Sequence, residues 1–232
     1  YNRNNSSSLS DDFVYDILKD NEGGLWITTY FGGINYSNPN SSNFTIRHCA
    51  TESARGRIIS KFHEDKNGDI FIGTDDGGFI YNPIKDKCHR YTIDKSNPNL
   101  NIHAIWSNDT YLWIGTYSKG LYRINHKTKY VEHIPYFEKD GITNESIYSI
   151  HEDLSGKIWI GTKTAIWTWT KKHGFIKEKE LGYNSDIIAI CEDLKGSIWF
   201  ASLNKGILKY TPTTHNITHI SKGSNGIKIP NE

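Results

Sequence analysis

One sixteen-residue phrase, written five times, constrains this chain more than anything else in it. At Ile147–Thr162 it reads IYSIHEDLSGKIWIGT, and variants stand at Val14–Thr29, Ile59–Thr74, Ile102–Thr116 and Ile187–Ser202. Each copy places two short runs of β-branched and aromatic residues around a polar turn, which is the pattern of a β-hairpin. The anchors Trp26, Phe71, Trp113, Trp159 and Trp199 lie 40 to 46 residues apart, and two further short runs follow each hairpin. Four short antiparallel strands at that period predict an all-β fold, a β-propeller of five consecutive four-stranded blades. The blades are expected at about 13–49, 58–94, 101–135, 146–181 and 186–220 of a single segment, 1–232. A lone blade has two apolar faces, and only stacking on neighbours buries both. A Trp in the second strand suits that interface, with a large buried area and one N–H to satisfy. No stretch sustains a 3.6-residue period, so no helix of consequence is predicted.

The turn has its own logic. Asp20, Asp65, Asp153 and Asp193 each stand three residues before Gly23, Gly68, Gly156 and Gly196. An Asp that opens such a turn accepts backbone N–H bonds, and the Gly takes the positive φ of the return. One carboxylate per turn is too few oxygens for a calcium loop. The third copy, Ser107-Asn108-Asp109-Thr110, is one residue shorter and lacks the Gly, so a different turn is expected there.

Composition narrows the function classes. A formal net charge of +1 with interspersed acids and bases makes no electrostatic case for nucleic acid or an anionic membrane. No run approaches the roughly 18 apolar residues of a membrane span, and no signal peptide is recognisable. Without Met and starting in mid-pattern, the sequence reads as an excised segment. Three cysteines form no metal or redox spacing. Cys191 occupies the strand position of Leu18, His63, Trp106 and His151 and is expected to pack as a small hydrophobe. Cys49 and Cys88 fall near outer strands of neighbouring copies, where splaying rims are expected to keep them unbridged. The ten histidines make no metal pattern; His63 and His151 share one strand position and read as wall residues rather than ligands. No cofactor and no metal are expected.

The phrase E-D-x-x-G-x-[IL]-W-I-G-T, followed by G-[GL] and a hydrophobe, resembles the two-component regulator propeller repeat. It stands here as His63-Glu64-Asp65…Ile72-Gly73-Thr74 and His151-Glu152-Asp153…Ile160-Gly161-Thr162, with Leu9-Ser10-Asp11-Asp12 similar to that family's inter-blade connector. Phe71 for Trp, Ala201-Ser202 for Gly-Thr and Thr164-Ala165 in place of Gly are departures. The resemblance implies a periplasmic sensor region of a hybrid histidine kinase of Bacteroidetes, two seven-bladed propellers to a chain. It also implies an immunoglobulin-like domain, one membrane helix, then kinase, receiver and DNA-binding modules in the whole receptor. On that basis the five blades belong to a seven-bladed ring, the ligand is an oligosaccharide, and signalling proceeds through a receptor homodimer that regulates polysaccharide-utilisation genes. The segment itself would touch no nucleic acid and meet the membrane only through parts it lacks.

Recognition in such a scaffold is expected on loops held by rigid sheets. Turns between second and third strands supply Tyr30, Phe31, Asp75, Asp76, Tyr117, Lys119, Lys163, Asn204 and Lys205; inter-blade connectors supply Arg57, His103 and Tyr148. Rings, amides, carboxylates and bases suit sugars, whose C–H faces stack and whose hydroxyls both donate and accept. Two other classes stay open. A propeller glycoside hydrolase or lyase would in the first case need two carboxylates roughly 5 to 9.5 Å apart across a bond. Asp75 and Asp76 are adjacent, and no nucleophile motif is visible. A protein-interaction propeller would use exposed aromatics, for which Trp167 and Tyr122, at matching third-strand positions, are candidates; the alternative is that they pack against the next blade.

Overall fold

The computed structural model describes residues 7–30, 32–40, 44–47, 58–134, 146–182 and 184–221. The fold is the predicted one, all-β, with twenty strands in five four-stranded antiparallel sheets of β-propeller type. The first blade comprises β1 (Val14–Lys19), β2 (Leu25–Thr29), β3 (Gly33–Ser37) and β4 (Phe44–Arg47). The second has β5 (Ile59–Glu64), β6 (Ile70–Thr74), β7 (Gly77–Asn82) and β8 (Lys87–Tyr91). In the third are β9 (Ile102–Ser107), β10 (Tyr111–Thr116), β11 (Leu121–Asn125) and β12 (Val131–Ile134). The fourth has β13 (Ile147–Glu152), β14 (Ile158–Thr162), β15 (Ile166–Thr170) and β16 (Gly174–Lys177). The fifth has β17 (Ile187–Glu192), β18 (Ile198–Ser202), β19 (Gly206–Thr211) and β20 (Asn216–Ile220). Each sheet runs in simple sequence order, so every connection inside a blade is a hairpin. One 3-10 turn, Lys179–Leu181, is the sole helical element among the described residues, and no helix is long and apolar enough to cross a membrane.

The chain divides into two compact units: residues 1–117 with 122–133, and 118–121 with 134–232. In the first unit Trp26 is buried against Phe62, Phe79 and Tyr81 of the second blade, its ring centroid 5.2 Å from that of Tyr81. Phe71 is buried in turn with Ile102, Ile105 and Leu112 of the third. In the second unit Trp159 packs on Phe200 at 5.5 Å, with Ile187, Ile198 and Leu208. The second-strand aromatic thus fills the joint to the following blade. The Gly of the repeat has the same cause: a Cβ at Gly73 would lie 2.6 Å from Ile102 Cγ2, and one at Gly161 2.7 Å from the Ile187 carbonyl.

The turns bear out the Asp reading and add to it. Gly23, Gly68, Gly156 and Gly196 all have φ between +77° and +88°. Asp153 Oδ1 accepts the amides of Ser155 and Lys157 at 2.9 and 3.0 Å, while Oδ2 accepts the Trp159 indole N–H at 2.7 Å. Asp20 does the same for Trp26, and Asp193 for Trp199, each at 2.8 Å. These bonds, the Trp199 indole first, hold the Asp193 carboxyl well below the usual carboxylate range. One residue therefore closes the turn and satisfies the buried indole. Where Phe71 replaces Trp, Asp65 Oδ2 accepts from the Asn67 amide instead, at 3.2 Å. The shorter third turn uses Asn108, whose Oδ1 accepts from Thr110 and Tyr111, while the Arg123 guanidinium lies 5.1 Å above the Trp113 ring.

Three expectations are corrected. Cys88 is disulfide-bonded, against the expectation that it stays unbridged. Cys191 is free, and Cys49 lies outside the described residues. Cys191 is exposed rather than packed. His63, at the equivalent position, reaches Ser107 of the following blade, whereas no described strand packs over that side of β17. Trp167 and Tyr122 are buried, not exposed: Tyr122 stacks on His133 at 4.3 Å and donates to Asp94 at 3.3 Å. Burial, with the Asp94 charge, pushes the Tyr122 phenol up to about 12.

Candidate functional site on the bulged rim

Every blade carries the same irregularity. The pairing of first with second strand slips by one residue between Val14 and Asp16, Ile59 and Lys61, Ile102 and Ala104, Ile147 and Ser149, and Ile187 and Ala189. A β-bulge leaves its extra residue out of the ladder and re-aims its side chain. The extra residues are Tyr15, Ser60, His103, Tyr148 and Ile188.

The turn between second and third strands is fastened to the start of the bulged strand. Its first N–H donates to the carbonyl just ahead of that strand in all five blades: Tyr30 to Phe13 (2.9 Å), Asp75 to Ile58 (3.2 Å), Tyr117 to Asn101 (2.8 Å), Lys163 to Ser146 (3.1 Å) and Leu203 to Asp186 (3.2 Å). Four blades consequently place a bulge residue and a turn residue on the same rim, Tyr15 and Tyr30, His103 and Tyr117, Tyr148 and Lys163, Ile188 and Leu203; in the second blade Asp75 is on the turn while Ser60 is buried. The backbone repeats and the chemistry does not.

In the first unit two of these pairs are aromatic. Tyr15 and Tyr30 stack with centroids 6.4 Å apart, and His103 lies 5.7 Å from Tyr117 at an interplanar angle of 32°. Burial, then the neighbouring Tyr30, raises the Tyr15 phenol above its ordinary value. Desolvation lowers the His103 imidazole, which favours the neutral ring at pH 7. Between them Asp75 adds a carboxylate, while the Ser60 hydroxyl is buried and donates to the carbonyls of Gly73, at 3.1 Å, and Ile102. Asp76 is tied down: Arg90 donates to its carbonyl at 2.7 Å and stands 3.9 Å from its carboxylate. In the second unit Lys119, Lys163, Asn204 and Lys205 are exposed and Tyr148 is half-buried. Lys205 donates to Asn184 Oδ1, and Asn184, Thr164 and Lys177 border a recess of about 260 Å³.

Ten of the twelve residues expected to contact ligand therefore lie on bulges or on the turns fastened to them; Phe31 and Arg57 lie outside the described residues. The bulges of the first and fifth blades add Tyr15 and Ile188, which the sequence reading did not name. The signal was present as an extra residue in the alternation of each first strand, which a count of second-strand partners exposes. Among the described residues no group of three His, Cys, Asp or Glu side chains converges as a metal site would require.

Residues 8–31 match the family model described as two component regulator propeller, which bears out the resemblance read from the repeat. No curated protein sequence matches the chain. Among solved structures, the extracellular domain of a protein described as a hybrid two component system from B. thetaiotaomicron is similar at 19% identity and a TM-score of 0.79. That similarity covers 97% of this chain and 30% of the other. A second such extracellular domain from the same organism matches at 20% identity and TM-score 0.70, over 89% of this chain and 27% of that one. Virginiamycin B lyase from Staphylococcus aureus shares the fold at 16% identity and TM-score 0.70, over 92% of this chain and 71% of the lyase. The chain thus spans under a third of the two extracellular domains it resembles.

Proposed function

We propose that this chain is a ligand-sensing piece of the extracytoplasmic region of a hybrid two-component sensor kinase. It holds an oligosaccharide on the bulged rim and performs no chemistry of its own. The observation that carries the reading is the fastening of a variable turn to a bulged strand in every blade, on an unvarying hydrogen-bonded frame. Stacked or tilted rings at Tyr15–Tyr30 and His103–Tyr117, with Asp75 in the blade between them, offer ring faces and hydrogen-bond partners together. The matched repeat at residues 8–31 supports the sensor class. A disulfide at Cys88 supports an oxidising compartment, the periplasm, since such bonds rarely persist in a reducing cytosol. In the whole receptor the bound sugar would alter the relation between two copies and so regulate polysaccharide-utilisation genes.

The lyase that shares the fold gives a second reading, in which the rim turns its ligand over. One experiment separates the two. The protein is mixed with a panel of oligosaccharides, its melting temperature is followed, and the sugars are chromatographed afterwards. A sugar that raises the melting temperature and is recovered intact supports the sensor; a consumed sugar supports the enzyme. Replacing Tyr117 and His103 by Ala is expected to remove the shift. A response unchanged in both variants would move the site away from this rim.

A further inference from the structure

The joint between the second and third blades is built differently from its neighbours. At the first joint, Glu64 of the second blade accepts the Asn21 N–H from the first blade's turn at 3.0 Å. At the joint of the fourth and fifth blades, Glu192 accepts the Leu154 N–H at 2.9 Å in the same way. The third blade has Ser107 at this position, which is too short to reach the turn behind it. The same joint has Phe71 where the others have Trp26 and Trp159, and it borders the shortened turn at Asn108. Three departures from the repeat fall on one place and leave a cavity of about 550 Å³.

Its lining has an apolar floor and a lopsided polar rim. Phe71, Tyr91, Leu112 and Ile124 form the floor. The carboxylates on the rim are committed: Glu64 to Asn21, Asp65 to its own turn, Asp69 to the Asn82 amide, Asp109 to Lys66 at 3.0 Å. His63 Nε2 accepts the Ser107 N–H at 3.0 Å, so that ring faces the cavity neutral. The cations differ. Lys127 and Lys129 line the cavity, and no carboxylate among the described residues pairs with either. Lys129 is held at φ +59°, where the corresponding turn of the fourth blade has Gly174 at +67°. His126 stands beside them, its Nε2 3.0 Å from the Ser107 hydroxyl.

We propose that this cleft is a second ligand site, on the rim opposite the bulges, for a small organic carboxylate. Its ring or chain lies on the Phe71–Leu112 floor, and its charge meets Lys127, Lys129 and His126. The volume falls within the range of small-molecule pockets, and a ligand carboxylate would give Lys127 and Lys129 the ion-pair partner that no carboxylate among the described residues gives them.

Isothermal titration with sodium benzoate and sodium glucuronate, at constant ionic strength and against glucose as the neutral control, tests the site. Binding of either carboxylate with Kd of about 1 mM or tighter, and none of glucose, is expected. Exchanging both lysines, which are exposed, in K127Q/K129Q should weaken it about tenfold or more. S107E, which restores the glutamate of the other blades, should abolish it by filling the cleft. Absence of carboxylate binding, equal binding of glucose, or affinity unchanged in K127Q/K129Q overturns the proposal. The oligosaccharide response of the bulged rim is independent of all three results.

Discussion

The first two joints of this chain solve one packing problem with different residues. Between the first and second blades, Trp26 fills the gap, Asp20 satisfies its indole, and Glu64 reaches back to the turn at Asn21. Between the second and third, Phe71 fills less, Asp65 finds no indole, and Ser107 leaves the turn unclamped. The second joint retains a cavity of about 550 Å³. A repeat therefore sets the frame of a joint, while a few side chains decide whether it is scaffold or site.

The comparison can be broken most directly at the aromatic residues. W26A is expected to cost about 4 kcal/mol and F71A about 3 kcal/mol in urea denaturation, the difference reflecting an indole bond and a tighter fit. Equal losses would mean that the joints are energetically alike. Next in size is pH. Burial lowers His63 to about 4, below the value near 6.5 of an unfolded imidazole, so the unfolded state binds the extra proton. Stability from this group is then fully present above about pH 6.5 and is lost as pH falls towards 4, by about 3 kcal/mol in total. Subtracting the curve of H63Q from that of the wild type isolates the effect, and no difference between the curves would refute it.

The turn carboxylates sharpen the contrast further. D20A strands a buried indole N–H as well as turn amides and should cost about 2 kcal/mol, against about 1 kcal/mol for D65A. Chemical denaturation of the two variants side by side checks the ratio. The smallest effect belongs to the clamp: E64A is expected to lose about 0.5 to 1 kcal/mol in the same denaturation assay. A covalent check stands apart from these energies. Under native, non-reducing conditions mass spectrometry should find Cys191 alkylated and Cys88 protected, and reductant should expose Cys88.

The architecture was legible because hairpin, turn and period agreed at every level. Asp before Gly, then Trp, contains the turn, its positive φ and its interface. The second oxygen of that Asp was harder to read, since its bond to the indole depends on a six-residue register across a hairpin. Fold-level legibility failed where partners lie a blade apart. Glu64 and Asn21 are distant in sequence, as are Ser107 and His63, and no local pattern announces the clamp or its loss. The disulfide at Cys88 was misjudged for a related reason: the separation of neighbouring outer strands is a tertiary quantity. Trp167 and Tyr122 misled because alternation along a third strand does not say which face the next element covers. As for the rim, the turn residues were accessible to inspection as the variable parts. Of the bulge residues only His103 and Tyr148 were named, as connector residues, because an inserted residue in a short strand looks like ordinary alternation until the partner strand is counted.

The bulges have a consequence for how such a surface changes over generations. A residue that lies outside the ladder forms no cross-strand pair, so its replacement leaves strand register and turn attachment intact. Tyr, Ser, His, Tyr and Ile already occupy the five equivalent places without disturbing the blades around them. Except at Ser60, whose buried hydroxyl bonds two carbonyls, such positions are insulated from folding and free to drift. The same insulation makes them a natural place for a protein engineer to write a different chemical alphabet onto an unchanged scaffold.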